Sequence, residues 1–317
     1  MDKDSPKLLI TCVGEDIPKF HFRILALFKT INQFGGKLAK EKLVANFVKS
    51  VDKDVKLELE RIGVDVRIVQ PFDSRSPHCN KIRLLEIEDE CDVLVALDCD
   101  TVVVRDFYKE IDQNFFQAKP VNNDPLTIDQ WKYMFSYFEL ELPDQRVTTT
   151  GIKQNKTVPY FNSGVLSIPK TYIKRLHASW EKYALLLMDN YHKMGELAER
   201  KYFADQHSLS LALVAENIPV KLFPIEMNYS TPIKVKQKLS PQEVNPYILH
   251  YHKFTNENGL IQKTRFNYAG PDTSIEKVNQ FLNSKSGLLQ NTRFKNVNLG
   301  AEPKVKKKKK GRKEGEK

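Results

Sequence analysis

Residues 91–106 read CDVLVALDCDTVVVRD, and this stretch predicts both the class of fold and the place of a functional site. Val93–Leu97 is an apolar, β-branched run with the length of a strand that is buried on both faces. Two carboxylates, Asp98 and Asp100, follow it at once, with Cys99 between them. Residues i and i+2 of an extended chain project to the same side. We therefore expect both carboxylates to face one hard cation while Cys99 turns into the fold.

A second interpretation of this acidic pair is a simple cap on a turn, because short acidic triplets occur by chance in many chains. The apolar runs on both sides of Asp98-Cys99-Asp100 favour the binding interpretation. In open α/β sheets, ligands bind in the crevice at the carboxyl ends of the strands, which is where this pair would stand.

The length and the apolar content of the chain are those of an ordinary globular protein. Its 317 residues, 41% of them apolar, suffice for one large α/β domain or two small ones. No stretch approaches the roughly 20 apolar residues that span a bilayer, and the N-terminus lacks the apolar segment of a signal peptide. The four cysteines have no metal-binding spacing, so we expect reduced, buried thiols and a cytoplasmic protein.

The positive charge is concentrated at the C-terminus. Residues 303–317 hold nine Lys/Arg and two Glu, a net of +7, which leaves only +3 of the total +10 for the first 302 residues. We expect residues 301–317 to form a disordered lysine-rich tail. The tail either contacts an anionic membrane or another polyanion, or serves only solubility. No specific nucleic-acid binding is expected.

Strand-like and helix-like segments alternate through the first hundred residues. This alternation predicts a mostly parallel, doubly wound central sheet flanked by helices. The predicted strands are Leu8–Val13, Leu43–Phe47, Val64–Val69 and Val93–Leu97, and the predicted helices are 20–34, 55–62 and 81–88.

The second half of the chain is less regular. Residues 119–158 look like a long insertion over one face of the sheet, since Pro, Asn, Asp and Thr separate short aromatic pieces. The segments predicted beyond it are strands at 160–168, 219–223 and 248–251, and helices at 171–193, 204–216 and 274–282.

Five motifs occur in a characteristic order: Asn80-Lys81, Asp98-Cys99-Asp100, Phe161-Asn162-Ser163-Gly164, Ala204-Asp205-Gln206 and, last, His250. With them the chain resembles the glycogenin-like retaining glycosyltransferases, glycosyltransferase family 8, over roughly residues 7–255. Met227-Asn228-Tyr229 fits a further Asn element of that family.

The resemblance implies a single α/β domain with the GT-A fold over 1–270. Its nucleotide-binding half would span about 1–106 and its acceptor half about 107–270. A helical extension at 271–300 would then precede the tail.

The resemblance also implies an activity. The enzyme would move a hexose from a nucleotide sugar, by default UDP-glucose or UDP-galactose, to an unknown acceptor with retention of configuration. Asp98, Asp100 and His250 would hold Mn²⁺ or Mg²⁺, and one imidazole among the oxygen ligands favours Mn²⁺. His252, two residues after His250, is the alternative ligand.

Asp205 and Gln206 are the implied catalytic residues beside the anomeric carbon. Asp205 would act as nucleophile or ion-pair stabiliser, and the sequence does not separate double displacement from front-side attack. A helix N-cap is the alternative role for Asp205. The implied donor-binding residues are Thr11, Lys81, Asp98, Cys99, Asn162, Ser163, Asn228 and Lys253.

Some of these assignments have plain structural alternatives. Lys81 either neutralises a phosphate, or holds an Asp of the metal motif, or is a solvated helix lysine. Asn162-Ser163-Gly164 could be only a bulge within a strand. The family's Gly-x-x-Lys-Pro-Trp segment is missing after His250, so Lys253 matches the phosphate lysine poorly.

Two other functions remain open at this stage. A nucleotidyltransferase of related α/β fold also uses paired Asp residues and Mg²⁺, although Val13-Gly14-Glu15 is a poor phosphate loop. A non-catalytic nucleotide-sugar-binding protein would explain the altered segment after His250. Hydrolases of the zinc or Ser-His-Asp type are not indicated, since neither HExxH nor GxSxG occurs.

Overall fold

A computed structural model describes residues 5–232, 244–264, 268–284, 288, 292–294 and 297–299. The strands in these ranges are β1 Leu8–Glu15, β2 Lys42–Val48, β3 Val64–Val69, β4 Val93–Asp98, β5 Thr101–Val103, β6 Phe116–Pro120, β7 Val147–Thr148, β8 Lys156–Thr157, β9 Phe161–Pro169, β10 Val220–Leu222, β11 Tyr229–Ser230 and β12 Ile248–His250. The α-helices are α1 Pro18–Phe34, α2 Lys53–Arg61, α3 Ile128–Tyr137, α4 Lys170–Asn190, α5 Ala204–Ala215 and α6 Ala269–Asn283. Short 3₁₀ helices lie at Gly36–Lys40, Pro77–Leu85, Tyr108–Glu110, Tyr191–Lys193, Gly195–Phe203, Ile225–Asn228 and Thr292–Phe294.

The main sheet has seven strands in the order β10-β6-β9-β4-β1-β2-β3. Four of its neighbouring pairs are parallel, and only β9 runs antiparallel, to both β4 and β6. This confirms the predicted α/β class with a mostly parallel central sheet. Because β4 lies in the middle of the sheet, its carboxyl end with Asp98 opens between β1 and β9.

A small second sheet, in the order β11-β12-β5, places His250 next to the acidic pair. β12 runs antiparallel to β5, with His250 opposite Thr101, the residue directly after Asp100. The backbone N–H of Tyr251 also donates to the carbonyl of Asp100 at 3.1 Å. A late part of the chain is thereby fixed against the acidic pair by backbone pairing.

Two apolar cores cover the two faces of the main sheet. Since side chains alternate along a strand, Leu8, Ile10 and Cys12 of β1 face the core with α1, α2, α6 and the small sheet. Leu9 faces the opposite core, which contains α3, α4 and α5. All four cysteines are buried and free, as expected.

The insertion between β6 and β9 forms α3 and the β7–β8 hairpin. Thr127 and Gln130 form a capping box that begins α3, and Trp131 anchors the helix because its side chain is fully buried in the second core. Trp131 and Phe135 of the insertion are therefore core residues, whereas Tyr133 is exposed.

One predicted helix is wrong in type and bounds. Residues 81–88 were expected to be helical, whereas the structure has a 3₁₀ helix at Pro77–Leu85 and no helix over 86–88. Pro77 near the start of this element fixes its backbone early. A 3₁₀ helix is also stable only over short runs. The helix begins at Pro77, earlier than the predicted residue 81, because the fixed φ of proline suits the first position of a helix.

The domain bounds at 270 and 300 stay predictions. α6 begins at Ala269 and buries Ile275, Val278 and Leu282 in the same core as α1. The lysine-rich tail lies outside the described residues, and its contacts stay a prediction. No helix in the described ranges is long and apolar enough to cross a membrane.

Two leucines of α4 offer a matched test of the core. Leu187 is 0% exposed, and Leu185, on the same helix, is 36% exposed. Leu187→Ala should lower the free energy of unfolding by about 2–5 kcal/mol, because it leaves a cavity in the second core. Leu185→Ala should cost less than about 1 kcal/mol. Urea unfolding of both variants checks this, and equal losses would contradict the packing.

Candidate functional site

The acidic pair stands at the carboxyl end of β4 with both carboxylates on one side. Oδ1 of Asp100 lies 3.3 Å from Nε2 of His250, and Oδ2 of Asp98 lies 3.9 Å from the same atom. Cys99 turns away and packs in the core beside Cys12, and burial raises the pKa of its thiol. Cys99 points into the fold as predicted, but Cys99 and Asp100 form a turn between β4 and β5, so the extended conformation expected through Asp98-Cys99-Asp100 is wrong. A donor contact by Cys99 would therefore use its backbone.

His250 is only 2% exposed, and one chain of hydrogen bonds fixes its ring. Oδ1 of Asn162 accepts the backbone N–H of Gly164 at 3.0 Å and Nδ2 of Asn228 at 2.9 Å. Oδ1 of Asn228 therefore faces Nδ1 of His250 at 3.0 Å and accepts its proton. Nδ1 of His250 is thereby engaged, and Nε2 is the ring nitrogen that faces the carboxylates, an arrangement that metal-ligating histidines share.

Gly164 makes room for this ring. A Cβ at position 164 would lie 2.4 Å from Cε1 and 2.8 Å from Nδ1 of His250, closer than any real contact. The Phe-Asn-Ser-Gly motif thus has a definite local role, since its Asn orients His250 through Asn228 and its Gly admits the imidazole.

The structure brings both candidate histidines to the acidic pair. The rings of His250 and His252 are stacked with centroids 3.8 Å apart. One ligand atom each from Asp100, His250 and His252 lie within 4.8 Å of one another. Burial, together with His250, lowers the pKa of His252 to about 3, so its ring is neutral at pH 7.

Sequence reasoning missed Arg23, a residue of α1. Its Nη1 lies 3.6 Å from Oδ2 of Asp100, and its Nη2 donates to the carbonyl of His252 at 2.8 Å. Burial alone would raise the pKa of Asp100, but His250 and Arg23 hold it below its usual value. The available signal was a lone arginine within the apolar helical run Phe20–Phe28.

Lys81 links the metal motif to the predicted catalytic carboxylate. Its Nζ lies 2.9 Å from Oδ1 of Asp98 and 3.3 Å from Oδ2 of Asp205, and it donates to Oγ of Ser163 at 2.9 Å. Burial would lower the pKa of Lys81, yet Asp98 and Asp205 raise it above the usual value. A solvated helix lysine, one of the alternatives above, does not describe this buried cation.

Asp205 is 3% exposed and lies in the first turn of α5, where Phe203 is the N-cap. Oδ2 of Asp205 accepts the hydroxyl proton of Ser163 at 2.7 Å. The indole N–H of Trp180 donates to the backbone carbonyl of Asp205 at 2.9 Å, which holds this turn. The N-cap alternative is therefore wrong.

The other predicted site residues are placed less tightly. Thr11 is buried in β1, where its Oγ1 accepts Nδ2 of Asn46 at 2.8 Å. Gln206 is half-buried next to Asp205, and Lys253 is exposed. Their roles toward a donor stay predictions.

The mostly parallel sheet carries the acidic pair at the carboxyl end of its central strand, β4. This arrangement is that of a GT-A-type glycosyltransferase. A family model described as the Rhodobacterales glycosyltransferase domain matches residues 19–217, more than half of the chain. The chain belongs to this family. No curated protein matches it.

Three solved structures are similar to this chain, and LgtC, the one with a TM-score above 0.5, supports the fold. The galactosyltransferase LgtC, in complex with donor and acceptor sugar analogues, is 15% identical with a TM-score of 0.52, over 87% of this chain and 96% of that one. The bifunctional glycosyltransferase WbbM, in its apo form, is 15% identical with a TM-score of 0.49, over 88% of this chain. This chain spans about half (53%) of WbbM. Mouse xyloside xylosyltransferase 1 is 12% identical with a TM-score of 0.45, over 78% of this chain and 97% of that one.

Lys81→Met tests the charge balance of the site. Removing one cation from between two carboxylates leaves uncompensated buried charge, so the free energy of unfolding should fall by about 3–5 kcal/mol. Lys174→Met, at an exposed position of α4, is the control and should change it by about 0.5 kcal/mol or less. Chemical denaturation at pH 7 measures both. A loss for Lys81→Met as small as the control's would contradict the described ion pairs.

Proposed function

We propose that this protein is a metal-dependent, retaining glycosyltransferase of the glycogenin-like type. It moves a hexose from a UDP-sugar, UDP-glucose or UDP-galactose, to an acceptor that the chain does not identify. The observation that carries the proposal is the convergence of Asp98, Asp100 and His250 at the sheet edge, with Asp205 joined to them through Lys81.

The residues present fit a divalent cation. Ligand atoms around one octahedral ion are roughly 3 Å apart when adjacent and roughly 4 Å apart when opposite. Nε2 of His250 lies 3.3 Å from Asp100 and 3.9 Å from Asp98, within that range. Asp98, Asp100 and His250 would hold Mn²⁺ or Mg²⁺, and the imidazole favours Mn²⁺. When bound, the ion stabilises negative charge on the leaving diphosphate.

Lys81 and Ser163 prepare Asp205 for its role. The ammonium of Lys81 forms an ion pair with Oδ2 of Asp205, and the hydroxyl of Ser163 donates a hydrogen bond to the same oxygen. These two contacts fix the carboxylate and stabilise its negative charge. An anionic Asp205 would stabilise the oxocarbenium-like state at the anomeric carbon, either as a covalent nucleophile or as an ion-pair partner. Both routes give retention, and Gln206 would lie beside the same carbon.

The donor-binding roles follow from what each side chain has left to offer. Oδ1 of Asn162 accepts two hydrogen bonds already, so its amide hydrogens are the part that can reach a sugar hydroxyl. Thr11 and Cys99 would contact the nucleotide through their backbone, and Asn228 would act by orienting His250. Lys253, exposed beyond His252, would approach a phosphate. The 119–158 insertion would shape the acceptor side.

Asp98→Asn and Asp100→Asn test this proposal directly. Each should lower the rate of UDP release from UDP-glucose or UDP-galactose with Mn²⁺ by at least about 100-fold, because the amide removes a charged ligand. Asp189→Asn, at an exposed position near the end of α4, is the matched control and should keep the wild-type rate. ¹H NMR of the first sugar released should show the α-anomer, as retention requires.

Near-normal turnover of Asp98→Asn and Asp100→Asn would remove the metal assignment. Release of the β-anomer would instead overturn retention alone. A wild-type protein that binds the UDP-sugar without turnover, with and without added acceptors, would be the non-catalytic binding protein.

A further inference from the structure

His252 stands in a backbone conformation that a histidine rarely adopts. Its φ is +52°, in the left-handed region where Gly and Asn are the usual residues. Such a position is strained and persists only where the surroundings hold it. Two contacts hold His252 here. Nη2 of Arg23 donates to its backbone carbonyl, and Nε2 of His252 lies 2.9 Å from Oγ of Ser230. A glycine would meet the backbone requirement alone, so the imidazole indicates a role for the side chain.

We propose that His252 is a second imidazole ligand of the metal site, which makes the site selective for Mn²⁺ and similar transition ions over Mg²⁺. This inference rests on the proposed function, because it concerns the same metal. It adds a ligand that a site of Asp98, Asp100 and His250 does not need.

The geometry supports direct ligation. One ligand atom each of Asp100, His250 and His252 lie within 4.8 Å of one another, near the span of opposite ligands of one ion. The hydrogen bond between Ser230 and Nε2 occupies one ring nitrogen of His252. Ligating histidines usually bind a second partner through one nitrogen in this way and the metal through the other.

The groups around His252 form a donor set that suits a transition ion. Asp100 is the carboxylate nearest to the two imidazoles, and Arg23 approaches its other oxygen, 3.6 Å away. The imidazole nitrogens of His250 and His252, together with the carboxylates, would give the metal a mixed set of nitrogen and oxygen ligands. Mn²⁺, and more strongly Co²⁺ and Zn²⁺, accept imidazole nitrogen more readily than Mg²⁺, which prefers an all-oxygen set. The second imidazole should therefore matter to Mn²⁺ and hardly to Mg²⁺.

Two variants of His252 separate ligation from packing. His252→Asn suits the left-handed backbone and removes the ring. His252→Phe keeps a ring to stack on His250 and removes both nitrogens. His192→Asn is the control, since His192 is exposed on the 3₁₀ helix after α4. Circular dichroism and thermal unfolding show first whether each variant is folded.

Pulsed EPR of Mn²⁺ added alone counts the directly bound imidazole nitrogens, and competition with Mg²⁺ measures selectivity. We expect two bound nitrogens in the wild type and the control, and one in both His252 variants. The Mn²⁺ dissociation constant should rise about tenfold or more in the His252 variants. That of Mg²⁺ should hardly change, so the selectivity should fall by a similar factor.

One bound nitrogen in the wild type, unchanged in both His252 variants, would overturn this inference and leave the proposed function intact. No Mn²⁺ bound by the wild type would overturn both.

Discussion

The site depends on charge compensation at the end of β4. Three carboxylates, Asp98, Asp100 and Asp205, stand in largely buried surroundings, and such groups are costly without partners. The fold supplies one cation for each side of the group: Arg23 of α1 beside Asp100, and Lys81 between Asp98 and Asp205. His250 faces the same acidic pair, and the proposed divalent cation would add positive charge there.

The second constraint is the orientation of His250. The register of β12 against β5 places His250 opposite Thr101, next to the acidic pair. The amide chain through Asn162 and Asn228 then sets its tautomer. The Phe-Asn-Ser-Gly motif therefore contacts the His250 side of the site through Asn162 and the Asp205 side through Ser163, which binds both Lys81 and Asp205. The start of β9 thus connects His250 with Asp205 through two adjacent side chains, Asn162 and Ser163.

Local pattern was sufficient to predict most of the fold. The strand before Asp98, the inward position of Cys99, and the helix that ends before Gly35 all depend on neighbouring residues only. The 3₁₀ helix at Pro77–Leu85 was mispredicted as an α-helix over 81–88, because a short run of mixed periodicity does not separate the two.

The site itself was only partly predictable. His250 joined the predicted site through motif order and not through local pattern, since its nearest partners are far away in the chain. The contacts of Arg23 and Ser230 depend on how α1 and the small sheet pack around Asp100 and His252. Packing of that kind leaves no signal in a single sequence beyond an isolated polar residue in an apolar run.

The central claim is that the acidic pair and His250 hold a divalent cation that binds a nucleotide diphosphate. The most direct test is calorimetric titration of the full-length protein with UDP, GDP, CDP and ATP, each with and without Mn²⁺. The account predicts tight binding of UDP that requires Mn²⁺ and is lost in Asp100→Asn. Binding of UDP that is equally tight without Mn²⁺, or a clear preference for another nucleotide, would contradict it.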